Sequence, residues 1–113
     1  MLQKMMMLEK AVKGFRQRMI DNGELKPLYA SGMDVVEGTM GDLKKLIDSV
    51  LDSAEGRKKY TDSDFERIVM EPEKSILILH KQILIDKEVK HTYGYEVDTI
   101  VSNMLDLQEM LAS

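Results

Sequence analysis

The stretch Met1–Asp21, MLQKMMMLEKAVKGFRQRMID, decides the fold class of this chain of 113 residues. Its apolar residues recur at alternating steps of four and three, which lines them up along one face of an α-helix with coiled-coil period. These seam residues are Met1, Met5, Leu8, Val12, Phe15 and Met19. The stretch therefore predicts a helix that packs one face against other helices and ends at Asn22-Gly23, a pair typical of helix C-caps.

A second seam lies in the middle of the chain. Its helix is predicted to begin at a capping box, Asp34 with Glu37 three residues later, and to close at Gly56. The seam residues are Val36, Met40, Leu43, Ile47, Val50 and Ala54. Residues 24–33, which precede this helix, contain a proline and a glycine and show no sustained period, so they are expected to form a connector.

A third seam ends the chain. A turn is expected at 92–95, followed by a final helix with Glu96 and Asp98 in its first turn, where negative charge is favourable. The seam residues are Val97, Ile100, Met104, Leu107 and Leu111. Because three seams share one period, residues 1–113 are predicted to form an all-α, single-domain bundle. It should contain four main helices and one short helix with coiled-coil-like packing.

The short helix is predicted between the second and third seams. Two overlapping capping-box frames lie between Thr61 and Glu66, and either can start a helix. Pro72 is expected to end this helix and to open the next one, because the first position of a helix does not need a backbone N–H.

The segment 73–89, EKSILILHKQILIDKEV, fits either one helix or two strands. A helix is favoured because no tight-turn residues separate its two apolar runs, and because the basic residues that follow them suit a helix C-terminus. These basic residues are Lys87, Lys90 and His91. Ile78 and Ile85 fall beside the main apolar face, so this helix is expected to be buried on two sides.

Composition narrows the class of protein. Sixteen basic and 20 acidic residues give a net charge of −4, which argues against a general nucleic-acid binder, since such domains carry a basic excess. The absence of cysteine excludes disulfides and thiolate chemistry and gives no support for secretion. No apolar run approaches the ~18 residues that span a bilayer. The chain is therefore expected to be cytoplasmic, without a membrane partner.

The distribution of charge predicts which helices are neighbours. Residues 1–21 carry a net charge of +3, whereas 34–56 and 92–113 carry −4 each. Charges that flank a helical seam select the helices that pack beside it. The first helix is therefore predicted to lie beside the second and the last, in the same chain or across a dimer.

No catalytic residue, cofactor site or metal site is predicted, and the chain is expected not to be an enzyme. Glu88 and His91 have the spacing of a carboxylate-bridged metal site, but such sites need a second motif and further carboxylates. His91 is instead expected to be a helix-end residue that the dipole stabilises. His80 is expected to be a hydrogen-bonded residue of the core or of its boundary. The sequence has neither a nucleophile motif nor a Gly-rich phosphate loop.

The first helix carries the predicted partner interface. Leu2, Met6 and Met7 lie outside its seam, so its first two turns are apolar almost all round. Together with Arg16 and Arg18, they are predicted to contact a protein partner. A homo-oligomer, with a dimer favoured, would cover them. The alternative is that the connector folds over this face.

Two functions fit this pattern. The first is a non-enzymatic interaction or assembly protein, such as a helical adaptor, regulator or oligomeric accessory factor that binds through apolar helix faces. The alternative is a small acidic inhibitor, of mobile-element or phage type, that blocks a basic site on a nucleic-acid-processing enzyme. Its acidic face would consist of Glu37, Asp48, Asp52, Asp98, Asp106 and Glu109. Steep weakening of binding by salt would favour the inhibitor.

Overall fold

The computed structural model describes residues 1–52 and 54–112, and most of these residues lie in five helices. They are α1 (Leu2–Asp21), α2 (Pro27–Asp52), α3 (Ala54–Lys58), α4 (Asp62–Ile85) and α5 (Lys90–Ala112). Four are long, one is short, and the described residues contain no strand. The all-α bundle of four main helices and one short helix is thus confirmed, and the strand pair at 73–89 is excluded.

The four long helices form a ring in the order α1, α2, α4, α5, in which each packs against two neighbours. Neighbours run antiparallel. Arg16 near the end of α1 pairs with Asp34 early in α2, whereas Glu9 pairs with Lys44 further along. The resulting bundle is 48 Å long and 23 by 21 Å across. As the charges predicted, the basic helix α1 lies between the acidic helices α2 and α5.

The predicted seams form the core of the bundle. In α1 every seam residue after Met1 is buried, and the central parts of the α2 and α5 seams are buried as well. Phe15 and Tyr93 pack edge to face with ring centroids 5.6 Å apart, which joins α1 to α5. Met1, Val50 and Leu111, near the ends of the seams, pack against the core while remaining partly exposed. Ala54, the last residue predicted for the second seam, is wrong, because it is exposed and begins α3. Local period therefore predicted which faces turn inward.

The connector expected at 24–33 is wrong over most of its length, because α2 begins at Pro27. Proline is well suited to the first helical position, where its missing N–H leaves no bond unmade. Tyr29 and Met33 are buried and extend the α2 seam toward its N-terminus. Asp34 consequently lies inside the helix, where its side chain meets Arg16 instead of capping a terminus. The C-cap of α1 is confirmed, with Gly23 at φ +67°.

Gly56 does not close the second helix as expected. It lies in α3, and it is buried where that short helix crosses the end of α2. A Cβ atom at this position would overlap the backbone carbonyl of Ser49, so the close approach of α3 to α2 requires glycine. Ser53, which the predicted helix 34–56 would include, lies outside the described residues.

Pro72 lies inside α4, so the predicted short helix after Thr61 and the helix over 73–89 are one element. Thr61 is the N-cap, as the capping-box frames indicated, and its hydroxyl accepts a hydrogen bond from the Asp64 N–H at 3.0 Å. Proline has no N–H to bond the Ile68 carbonyl four residues earlier, so α4 contains one helical bond fewer at this point. In the same turn, the Gln108 side chain of α5 donates to the Val69 carbonyl at 3.2 Å. This bond ties α4 to α5 beside the proline.

The turn expected at 92–95 is also wrong, because α5 begins at Lys90. Tyr93 is 1% exposed and, with Val89, extends the core beyond the predicted seam. Glu96 and Asp98 accordingly lie in the interior of the helix instead of its first turn. Because α4 ends at Ile85, Lys87, Lys90 and His91, which were predicted to lie at its C-terminus, lie beyond the helix. His91 in particular belongs to the first turn of α5, where the dipole does not favour a positive charge.

Candidate protein-binding face

The outer edge between α2 and α4 carries apolar side chains that the bundle leaves exposed. Leu28 and Val35 on α2 are 57% and 56% exposed, and Ile78 and Ile85 on α4 are 60% and 73% exposed. On each helix the two residues are seven positions apart, so they lie on one face about 10.5 Å from each other. We call these four residues the apolar stripe.

The register between α2 and α4 brings the stripe together. The hydroxyl oxygens of Thr39 and Ser75 are 3.2 Å apart, and Gly32 lies beside Leu79 and Gln82. Because the helices are antiparallel, this register places Val35 level with Ile78. It likewise places the first turn of α2, with Leu28, level with the last turn of α4, with Ile85. The stripe therefore consists of two level pairs, Val35 with Ile78 and Leu28 with Ile85.

A groove of about 440 Å³ runs along this edge. Its lining consists of Gly32, Val35, Thr39, Glu71, Lys74, Ser75 and Ile78. The Thr39 hydroxyl donates to the Val36 carbonyl at 3.0 Å, and the Ser75 hydroxyl donates to the Pro72 carbonyl at 2.9 Å. Both hydroxyls already donate a hydrogen bond within their own helix, so a molecule bound in the groove does not need polar groups to accept these hydrogens.

Only some of the apolar residues predicted to form the interface on α1 are exposed in the structure. Met6 and Met7 are 57% and 54% exposed, whereas Leu2 is partly buried and packs against the core. Residues 22–26 link α1 to α2 at the far end of α1, about 24 Å from these methionines by helical rise. The alternative in which the connector covers them is therefore wrong, and both side chains stay exposed.

The two arginines predicted at the interface are instead engaged within the bundle. Arg16 Nη1 donates to Asp34 at 2.8 Å and to Glu37 at 3.1 Å, and these partners raise the pKa of its guanidinium. Arg18 Nε donates to Glu96 at 3.1 Å. One arginine thus ties α1 to α2 and the other ties it to α5. These ion pairs favour the position of α1 between α2 and α5. Because both guanidinium groups are already paired, they are less available to a protein partner.

The six carboxylates of the predicted acidic face do not share one surface. Their helices, α2 and α5, lie on opposite sides of α1 in the ring. Three of them are already paired, Glu37 with Arg16, Asp106 with Lys4, and Asp98 with His80. The other three are Asp48, Asp52 and Glu109, which are exposed and form no ion pair with another described residue. Asp48 and Asp52 line one groove together, and Asp106 and Glu109 line a different one.

A polar cluster closes the end of the bundle where α2 begins. Lys26 Nζ lies 2.9 Å from Asp86 and 3.0 Å from Glu88, and the Tyr29 hydroxyl donates to Asp86. The bonds from Tyr29 and then Lys26 lower the pKa of Asp86 from its usual 3.8 to about 2. Burial, followed by the bond to Asp86, raises the pKa of Tyr29 to about 12. The cluster ties α2 to the α4–α5 connection, which is a structural role.

The histidines are not brought together. His80 Nε2 lies 2.5 Å from Asp98 on α5 and is about one-quarter exposed, which confirms its position at the boundary of the core. His91 is exposed, and Glu88, which lies three residues before it, pairs with Lys26. Within residues 1–52 and 54–112, no group of three or more His, Asp or Glu side chains is arranged to hold a metal ion.

The apolar stripe was missed as a site by sequence reasoning, although part of its signal was visible. Ile78 and Ile85 fall beside the main apolar face of their helix, and this surplus was interpreted as a second buried side. Leu28 was assigned to the connector, and Val35 stands just outside the second seam. Because the register between α2 and α4 is a tertiary property, the sequence offered no reason to combine the four residues.

Comparison with known proteins adds no relative. No family model matches the chain, and neither the curated proteins nor the solved structures contain a significant match. Among the described residues, no helix combines the length and the apolar character needed to cross a bilayer.

Proposed function

We propose that this chain is a non-enzymatic protein-binding or assembly protein, acting as a helical adaptor, regulator or oligomeric accessory factor in the cytoplasm. The observation that carries the proposal is the apolar stripe, four branched aliphatic side chains that are each more than half exposed on one edge. Soluble monomers rarely expose contiguous apolar patches of large size, and patches rimmed by charge mark protein contacts. The proposal requires no cofactor.

Burial of the stripe would supply the driving force for binding. Fully burying a Val, Leu or Ile side chain is worth about 1.5–3 kcal/mol, so covering the exposed half of each would contribute on the order of 1 kcal/mol. The stripe is held on two packed helices, so little conformational entropy is lost when a partner docks. Met6 and Met7 on α1 offer a second, more adaptable apolar contact.

The test compares two surface variants of the full chain. Val35→Ser with Ile78→Ser removes the centre of the stripe, and Ile20→Ser with Leu105→Ser, at apolar residues of α1 and α5 that are 48% and 45% exposed, is the matched control. Tagged proteins are used to capture partners from the native cell, and the captured proteins are identified by mass spectrometry. We expect the stripe variant to lose a partner that the control retains, at an unchanged melting temperature. Identical partner sets for wild type and the stripe variant would refute this site.

The acidic inhibitor remains the second candidate, with one observation in its favour. Asp48 and Asp52 line a groove with Leu2 and Lys59 and form no ion pair with another described residue. Electrostatic docking of such a pair onto a basic enzyme site would weaken steeply as ionic strength rises. Affinity for a captured partner should therefore be measured at low and high salt. Salt-insensitive binding that depends on the stripe favours the assembly protein.

A further inference from the structure

We propose that the apolar stripe is covered by α2 of a second copy of this chain, in a two-fold dimer that buries the α2–α4 face of both copies. This inference rests on the proposed function, because it specifies the partner of the same stripe. Three features of the face carry it: unpaired charges beside the stripe, the pattern of residues on α2, and the symmetry that brings them together.

The charges on α4 that lie beside the stripe without an ion-pair partner among the described residues are basic. Lys74 and Lys81 are exposed, lie one heptad apart, and form no ion pair with another described residue. Arg67 continues this row one heptad earlier, but it is engaged by Asp64 and Glu71. A helix that docks over the stripe along α4 should therefore present apolar residues at heptad spacing together with a carboxylate that reaches a free lysine.

The outer edge of α2 has this composition. Leu28, Val35 and Asp42 occupy the same position in three successive heptads, so two apolar residues are followed by a carboxylate on one face. Asp42 is exposed and has no ion-pair partner among residues 1–52 and 54–112. The helix that matches the basic edge of α4 is therefore already present in the protein.

A two-fold axis parallel to the helices makes both contacts at once. It places α2 of each copy over α4 of the other, antiparallel and at the same height, because the register within the chain is preserved. Val35 then meets Ile78 of the other copy, and Leu28 meets Ile85. Asp42 comes within one helical turn of Lys74, a distance that a lysine side chain spans. Such an interface is self-complementary, as two-fold symmetry requires.

Charge repulsion disfavours the second way of packing the two faces together. A two-fold axis perpendicular to the helices would lay α4 on α4, which brings Lys74 of one copy against Lys81 of the other, twice. Like charges opposed across an interface are unfavourable. In the parallel-axis dimer, the carboxylate level with Asp42 is Glu71, whose charge is offset by Arg67 at 3.4 Å. The parallel axis therefore avoids the lysine contacts and brings Asp42 within reach of Lys74, and the carboxylate that it places opposite Asp42 is already paired with Arg67.

The face is large enough for a specific dimer. Helices α2 and α4 contain 26 and 24 residues, so they are about 39 and 36 Å long at 1.5 Å per residue. Two such helices with a spacing of about 10 Å present on the order of 800 Å². This area is close to the ~800 Å² per partner of a standard interface.

The test is a charge swap read out by sedimentation equilibrium of the full chain. Asp42→Lys and Lys74→Asp each oppose like charges twice across the dimer, so each single variant should dimerise about tenfold more weakly. The double variant restores opposite charges and should return to within about threefold of wild type. Lys13→Asp, on the exposed face of α1, is the matched control and should leave the dimer unchanged.

The outcomes separate this inference from the proposed function. A wild-type monomer at concentrations up to about 1 mM would overturn the dimer. So would a dimer that the charge variants leave unchanged, or single variants that the double variant fails to rescue. Loss of a different captured partner in the Val35→Ser, Ile78→Ser variant would still support a protein-binding stripe after such a result. The arrangement would be established by a dimer that each single variant weakens and the double variant restores, with the melting temperature of every variant unchanged.

Discussion

The Tyr29 hydroxyl donates a hydrogen bond to the Asp86 carboxylate, which joins the first turn of α2 to the C-cap of α4. Lys26 approaches the same carboxylate from the residue before α2. Two donors from one end of α2 therefore hold the end of its partner helix. This contact also defines the end of the apolar stripe, because Leu28 and Ile85 are the chain neighbours of the bonded residues.

The stability of the bundle should fall in acid because of Asp86. Its pKa is about 2 in the folded protein, against a usual value of 3.8. The unfolded chain therefore binds more protons in this interval, so the stabilisation is complete above pH 3.8 and is lost as pH falls toward about 2. Asp86→Asn should remove this component. Urea unfolding of wild type and variant at several acidic pH values measures it.

Asp48→Asn is the control for this pH effect, because Asp48 is exposed and unpaired within the described chain. It should leave the slope of stability against pH close to that of wild type. Equal acid slopes for wild type and Asp86→Asn would show that the Tyr29–Asp86 contact does not act as inferred.

Two glycine-to-alanine substitutions should have opposite effects. Gly56→Ala forces a Cβ atom into the carbonyl of Ser49, and we expect a loss of about 1–3 kcal/mol as α3 shifts away from α2. Gly38→Ala, in the interior of α2, meets no atom within 4 Å. It should stabilise the protein by about 0.4–1 kcal/mol, since alanine has the higher helix propensity. Thermal unfolding followed by circular dichroism measures both. Effects of the same sign would contradict the packing of α3.

The Tyr93 hydroxyl should contribute measurably to stability. It accepts a hydrogen bond from Asn22 at 2.8 Å and donates one to Glu24 at 2.9 Å, which links α5 to the turn after α1. Tyr93→Phe retains the ring contact with Phe15 but leaves these partners unpaired, at a cost of about 1 kcal/mol. Tyr95→Phe is the matched control, since Tyr95 is 87% exposed. Equal unfolding free energies for the two variants, measured in urea, would contradict this assignment.

The ends of the helices were the part of the fold that the sequence predicted least well. Pro27 and Pro72 were both treated as breaks, yet one opens α2 and the other lies within α4. A proline is compatible with a helix at its first position, and inside a helix when tertiary packing outweighs the hydrogen bond that it removes. Pro72 is buried in the bundle, and Gln108 of α5 bonds the same turn of α4 at Val69. Such packing depends on residues that are distant in the chain.

The predicted interface on α1 agrees with the structure only in part. Exposure of Met6 and Met7 agrees with their position outside the α1 seam, because a local period determines which side of a helix faces the core. Arg16 and Arg18 were assigned to the same interface, but their ion pairs lie within the bundle. A sequence shows that a charge is present on a helix, and it does not show which acidic side chain lies within reach.

The sequence by itself determined an all-α bundle, the inward faces of α1, α2 and α5, and the place of a basic helix between two acidic ones. These features depend on periods and charges that are local to each helix. Only the tertiary structure decided that Val35 and Ile78 lie level on neighbouring helices, where the described part of the chain leaves both more than half exposed. The physical reason is that a ring of four helices buries one face of each, and the order and register of the ring select which remaining apolar residues meet at an open edge.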